Sequence, residues 1–329
     1  MGNPLLPQDT EEQYILASSS VGTTLVSGTI ACYVALTAAL VLSLPEHTHQ
    51  LGYLESQACF IAATMQLGAL LLELFTKEEI RTHHTWTARS VGVVKFCSWA
   101  TNLMLYAFPT PFVTDSMTGR PNAMLRWCEW TVLSFTMTFL IESSDSTSVR
   151  MPILVAASQS LSTFCGLLLP LCSSALTWSV VCFASFALYG VLFWRFWQRE
   201  QTLQQLRLTL PPKSYGLRKA EVGADLFRKC VITWSIFVLI WSVDLVARCL
   251  VSGPFVTDYA FIADCTVDVL AKMLYAAIIQ VSLRPVVGSG LLCARCTHGA
   301  RTVHARCTVH CGATREAERA TRLASAGEE

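Results

Sequence analysis

Ionisable side chains stand inside apolar runs of this sequence, where charge is costly. Lys272 lies within DCTVDVLAKMLYAAII, far from either end of its run. Asp268 precedes it by four residues, so both project from one helical face. Glu129 lies in RWCEWTVLSFTMTFL, with Arg126 one turn before it. Ionisable residues at such depth are rare in membrane spans and mark function, each with a partner. One reading is an ion pair between Lys272 and Asp268 that staples helices together. The cost of burying charge for packing alone argues against it. Buried lysine is also the residue that forms Schiff bases with carbonyl compounds, its neutral amine being the nucleophile. Once protonated, such a linkage is a buried cation and needs a counterion. Glu129 and Asp268 answer that need, and Arg126 would in turn keep Glu129 ionised.

Eight apolar runs are available to position these groups: 21–44, 53–75, 92–113, 122–142, 151–172, 175–197, 228–250 and 257–284. Each is near the roughly 20 residues that cross a hydrocarbon core, and backbone groups in lipid must pair internally, so each is expected to be a helix. Basic residues set the orientation. Lys77, Arg81 and Arg89 fall in 76–91, Arg199, Arg207, Lys213, Arg218 and Lys219 in 198–227, and Arg295, Arg301, Arg306, Arg315, Arg319 and Arg322 in the tail. Eight spans place all three segments on one side, with both termini in the cytoplasm. The connection 198–227 starts as QREQTLQQLRL and breaks at Pro211-Pro212. Its start is expected to extend the sixth helix and the remainder to form a hinge.

Charged residues make up 14% of the 329 and hydrophobic residues 53%, against about a quarter charged in soluble domains. The charges cluster between long apolar runs, which fits a multi-pass membrane protein. The net charge of +1 gives no reason to expect a nucleic-acid partner. Residues 1–15 lack the basic and apolar regions of a signal peptide. Most of the 14 cysteines lie in apolar runs, where cysteine packs as a small hydrophobe.

Three motifs in this order resemble the microbial (type I) rhodopsins over 53–284: RWCEW at 126–130, WSIFVLIW at 234–241 and DVLAK around Lys272. The resemblance implies an all-α, polytopic membrane helix bundle, a seven-helix core over 53–285 preceded by one extra transmembrane helix over 21–44. That extra helix, with a cytoplasmic N-terminus over 1–20, is similar to the rhodopsin guanylyl cyclases and phosphodiesterases. The implied cofactor is all-trans retinal, covalently held on Lys272, with Glu129 and Asp268 as counterion and Arg126 beside them. Trp130, Trp234, Phe237 and Trp241 would sandwich the polyene, and Trp178 would close its ring end. Ser162 and Gly166 fall where the family lines the ring. Ser134 and Gln159 fall where the family often has a hydrogen-bonded pair.

The chain departs from the family pattern at four places. It has eight spans. Leu140 stands where proton pumps carry an internal donor, and Glu142 faces elsewhere. Val238 stands where a helix proline is expected, and Phe237 where a tyrosine often bonds the carboxylate of the last helix. The expected function is therefore a light sensor of the plasma membrane, signalling by retinal isomerisation and Schiff base deprotonation. The alternative is a light-driven proton pump or light-gated channel. Its partner would be a second rhodopsin, in a homodimer or in a heterodimer with a rhodopsin that carries an enzyme domain. No enzyme is expected in this chain, because the roughly 45 residues after Pro285 cannot fold into a cyclase or phosphodiesterase. In the tail 286–329, Cys293, Cys296, Cys307 and Cys311 could supply four thiolates to zinc. No hydrophobic residues surround them to build a small domain, so the tail is read as disordered and metal-free.

Overall fold

Long apolar segments with no water to bond their backbone become helices, and the computed structural model of the chain is a helix bundle. It describes residues 19–76, 85–143, 148–211, 215–250, 261–263 and 265–275. The chain divides into two units, Met1–Ser282 and Leu283–Glu329, and every described residue belongs to the first. The long helices are α1 (Ser19–Ser43), α2 (Tyr53–Thr76), α3 (Thr85–Ala107), α4 (Met124–Glu142), α5 (Arg150–Leu168), α6 (Ala175–Thr209) and α7 (Tyr215–Leu250). An eighth, α8, is helical at 261–263 and 265–275. From α2 to α7 neighbours in sequence pack side by side, and α1 lies against α3 and α4. Thr29 of α1 meets Thr136 of α4 at 2.7 Å, and Tyr33 of α1 meets Thr101 of α3 at 2.8 Å.

Five of these helices are long and apolar enough to cross a membrane among the described residues: α1, α2, α5, α6 and α7. Helices α3 and α4 fall short of that criterion, and α4 carries Arg126, Glu129 and Glu142, all buried against other helices. Large apolar side chains point outward instead. Leu176, Val180, Phe183 and Val191 on α6, and Ile232, Ile236, Leu239 and Val243 on α7, are exposed at helical spacing. Such stripes suit hydrocarbon rather than water, and the chain is an integral membrane protein.

The structure corrects the expected spans in two regions. The run 92–113 is not one helix. Helix α3 starts earlier and ends at Ala107, and Pro109 and Pro111, which cannot continue a helix, open an antiparallel sheet. Its strands are β1 (Thr48–His49), β2 (Thr110–Thr114) and β3 (Pro121–Ala123), in that order. The β2–β3 turn is closed by Asp115, whose N–H donates to the Arg120 carbonyl at 2.8 Å and whose carboxylate accepts from Met117 N–H at 2.8 Å. Gly119 completes it at φ 67°, where a side chain would be strained. Second, the hinge expected before 228 is short. Helix α6 does extend, to Thr209, but α7 already begins at Tyr215. The polar stretch expected to be a loop is helical and cross-linked to α6, by Arg207 with Glu221 at 3.5 Å and Arg228 with Glu200 at 2.9 Å.

Candidate functional site

Helix spacing fixes the first contact of the site. Lys272 and Asp268, one turn apart on α8, lie 2.5 Å apart from Nζ to Oδ1. Helix α4 brings Glu129 onto the same amine, which donates to Glu129 Oε1. Helix α3 adds Ser98, whose Oγ accepts from Lys272 Nζ at 3.1 Å. Glu129, Asp268, Arg126 and Lys272 are 0%, 1%, 3% and 4% exposed, so two basic and two acidic side chains form a buried cluster with balanced formal charges. Such a cluster holds only while its charges balance.

Arg126 takes a different place from the expected one. Its Nη1 lies 3.3 Å from Asp268 Oδ2, and its Nη2 donates to Asn102 Oδ1 at 3.0 Å and to Cys265 Sγ at 3.1 Å. Its ion-pair partner is therefore Asp268 rather than Glu129. Trp130 is also more than an aromatic wall, since its Nε1 donates to Asp268 Oδ1 at 2.5 Å. Phe237, which carries no hydroxyl, packs edge-on against Trp130 at 5.9 Å.

Beyond the amine lies a cavity lined by Lys272 and Asp268 and by helices α4 to α7. Trp130, Ser134, Gln159, Ser162, Gly166, Trp234, Phe237 and Trp241 all line it, as do Trp127, Phe186 and Tyr189, which the sequence reading passed over. The rings brace one another. Trp127 meets Trp130 at 5.1 Å, Trp234 meets Phe237 at 5.8 Å, and Phe186 meets Trp241 at 5.5 Å. Tyr189 OH donates to the Trp234 carbonyl at 2.9 Å. Gly166 is required here, because a Cβ at that position would meet the Trp127 ring at 2.2 Å.

Several expected residues stand elsewhere. Trp178 does not line this cavity. It lines a smaller one beside it, shares Trp127, Gly166 and Trp241 as the common wall, and donates from Nε1 to Asp115 Oδ2 at 2.9 Å. Arg120 also lines that second cavity and pairs with Asp244 of α7 at 3.1 Å, an intramembrane acid the sequence reading missed. Ser134 and Gln159 do not bond each other. Ser134 Oγ lies 3.1 Å from Thr163 Oγ1. Lys95 is buried ten residues into α3, but it is not among the cavity's lining residues. Leu140 is buried and apolar, and Glu142 is buried against Arg195 of α6 at 3.5 Å. The tail cysteines Cys293, Cys296, Cys307 and Cys311 lie outside the described residues, and among the described residues no cluster of metal-ligating side chains occurs.

No protein-family model and no curated protein matches the chain. Solved structures do. The transmembrane domain and linker region of the rhodopsin phosphodiesterase of Salpingoeca rosetta aligns with a TM-score of 0.65 at 16% identity, over 85% of this chain and 99% of that one. A light-driven proton pump from Leptosphaeria maculans aligns at 0.56 and 13% identity, over 72% and 98%. Halorhodopsin, a light-driven chloride pump, aligns at 0.55 and 17% identity, over 72% and 98%. The chain has the microbial rhodopsin fold, in a form shared with the membrane domain of an enzyme-linked rhodopsin.

Proposed function

We propose that the chain is a retinal-binding light sensor, with Lys272 as the point of attachment. The observation that carries this reading is the Lys272 amine at the wall of an aromatic cavity, in contact with two buried carboxylates. Retinal is an apolar polyene ending in an aldehyde, so flat indole and phenyl walls suit its chain and the amine suits its aldehyde. Bound there, it supplies absorption of visible light and a light-driven change of shape. The chain's own residues do the rest. Glu129 and Asp268 neutralise the cation on Lys272, and Glu129 is the nearer proton acceptor. Arg126 and Trp130 hold Asp268 in place, and Ser98 steadies the amine.

Two observations favour a sensor over a pump. Leu140 offers no proton donor on α4, and Glu142 is tied to Arg195. Helices α6 and α7 run for 35 and 36 residues, or about 52 and 54 Å at 1.5 Å per residue, well beyond the roughly 30 Å of a hydrocarbon core. Their ion-paired extensions form an output element on the basic, cytoplasmic side of the plasma membrane. A partner, a second copy or an enzyme-bearing rhodopsin, would read them. The test is direct. All-trans retinal added to the expressed protein should give a visible band, and borohydride reduction should fix the chromophore to the peptide containing Lys272. A protein that stays colourless at every retinal concentration overturns the reading.

A further inference from the structure

Two thiols beside the charged cluster have no part in holding a chromophore. Cys59 of α2 and Cys265 of α8 place their Sγ atoms 3.9 Å apart, across 206 residues of sequence. Both are free thiols, 0% and 2% exposed, and neither lines the aromatic cavity. A core cysteine most often packs as a small hydrophobe, and this pair does share an apolar cluster with Leu51, Leu105 and Phe261. Its surroundings go beyond that role. Arg126 Nη2 donates to Cys265 Sγ at 3.1 Å and lies 3.9 Å from Cys59 Sγ. A guanidinium beside sulfur is the setting of reactive cysteines rather than inert ones. Cys59 lies six residues after the start of α2 at Tyr53, and Cys265 lies three residues before Asp268 on α8. On the topology set by the basic segments, this half of the bundle faces away from the cytoplasm, on the side where disulfides persist.

We propose that Cys59 and Cys265 are a redox pair whose disulfide ties α2 to the helix that carries Lys272. The oxidant is a peroxide, small and uncharged enough to reach buried sulfur. With hydrogen peroxide, one sulfur attacks an oxygen, the O–O bond breaks, and a sulfenic acid and a water form. The second sulfur attacks the first, the S–O bond breaks, and the oxygen leaves as a second water. Each thiol gives up its proton, and the two sulfurs together pass two electrons to the peroxide. The sulfurs must close from 3.9 Å to about 2.05 Å, within the sweep of two cysteine side chains. Neither step involves retinal, so the pair stands or falls apart from the chromophore.

The test treats the reduced, full-length protein in membranes with graded hydrogen peroxide, then removes the peroxide with catalase. The protein is denatured, its remaining thiols are blocked with N-ethylmaleimide, and its peptides are mapped by mass spectrometry. Cys59 and Cys265 should lose the label together, before the equally buried Cys97 and Cys128 lose theirs. They should appear in one cross-linked peptide, lighter by two hydrogens, that dithiothreitol separates. The cross-linked protein should melt roughly 4–10 °C higher, and dithiothreitol should reverse the rise. Cys265→Ser should abolish both changes, and the wild-type map needs no variant. The proposal is overturned if Cys59 and Cys265 keep their label until Cys97 and Cys128 have reacted. Oxidation without a bond between them, or a cross-link from either to another cysteine, overturns it too. So does a cross-link with no rise in melting temperature, or a rise that survives in Cys265→Ser.

Discussion

Charge balance in the buried cluster gives the sharpest test of the site. Asp268→Asn removes one carboxylate from a set of two cations and two anions and leaves a net positive charge at a position 1% exposed. The lost contacts are Lys272 at 2.5 Å and Arg126 at 3.3 Å. At an effective dielectric of about 20, each pair is worth roughly 5–7 kcal/mol before desolvation is counted. Desolvation offsets most of this, and breaking a buried pair from one side costs about 3–5 kcal/mol net. The apoprotein in detergent should therefore unfold at a temperature lower by several degrees, on the order of 5–15 °C. Arg126→Gln should be similarly destabilised, because it leaves the cluster negative. The double variant, Arg126→Gln with Asp268→Asn, is neutral again and should recover at least half of the summed loss. The melting temperatures of the four proteins make a closed cycle. Additive losses in the double variant would refute the pairing of Arg126 with Asp268. An unchanged melting temperature in Asp268→Asn would refute the argument from charge altogether.

Lys272→Ala should abolish any visible band formed with retinal, since Lys272 is the lysine lining the cavity; a coloured variant would move the attachment elsewhere. Glu129→Gln should shift the absorption maximum strongly and Asp268→Asn less, because Glu129 accepts directly from the amine while Asp268 is shared with Arg126 and Trp130. The spectra of the two variants decide which carboxylate is the primary counterion. Tags at residues 5 and 320 should stay unlabelled on intact cells and become labelled after permeabilisation, and surface labelling of either end would break the eight-span topology. Under sustained light, patch-clamped cells should show little stationary photocurrent, and a current equal to that of a known pump at matched expression would favour transport over sensing.

What the sequence revealed about the site was mostly what one helix determines by itself. The four-residue step from Asp268 to Lys272 becomes a contact in any helix, and the apolar run around Glu129 places that carboxylate inside the bundle. Contacts that depend on how deeply two helices sit against each other were not legible. Ser98, Trp127 and Tyr189 carry no charge and no spacing that marks them, yet depth matching brings them to the amine or the cavity. The one-turn spacing on α4 suggests that Arg126 serves Glu129, whereas its ion-pair partner comes from α8. The strand Thr110–Thr114 was hidden because Phe112 and Val113 extend the apolar run of α3, although Pro109 and Pro111 marked the end of the helix. The early start of α7 was hidden for the opposite reason. Its first turns are polar, and ion pairs to α6 together with Phe227 packed on Phe196 explain why they are helical rather than loop.

On the proposed sensor reading, the paired extension of α6 and α7 would make the output sensitive to angle and phase. From Trp234 at the cavity to Tyr215 at the start of α7 is 19 residues of helix, about 28 Å at 1.5 Å per residue. A rigid rod of that length turns a 5° tilt at the cavity into a movement of about 2.5 Å at its tip. Each residue added to the rod also turns the tip by about 100°, so seven added residues bring it back to within roughly 20° of its starting direction. Whatever docks on this stalk therefore reads a heading as well as a displacement. Linker length would act on the signal periodically, like the teeth of a gear, rather than by gradual weakening.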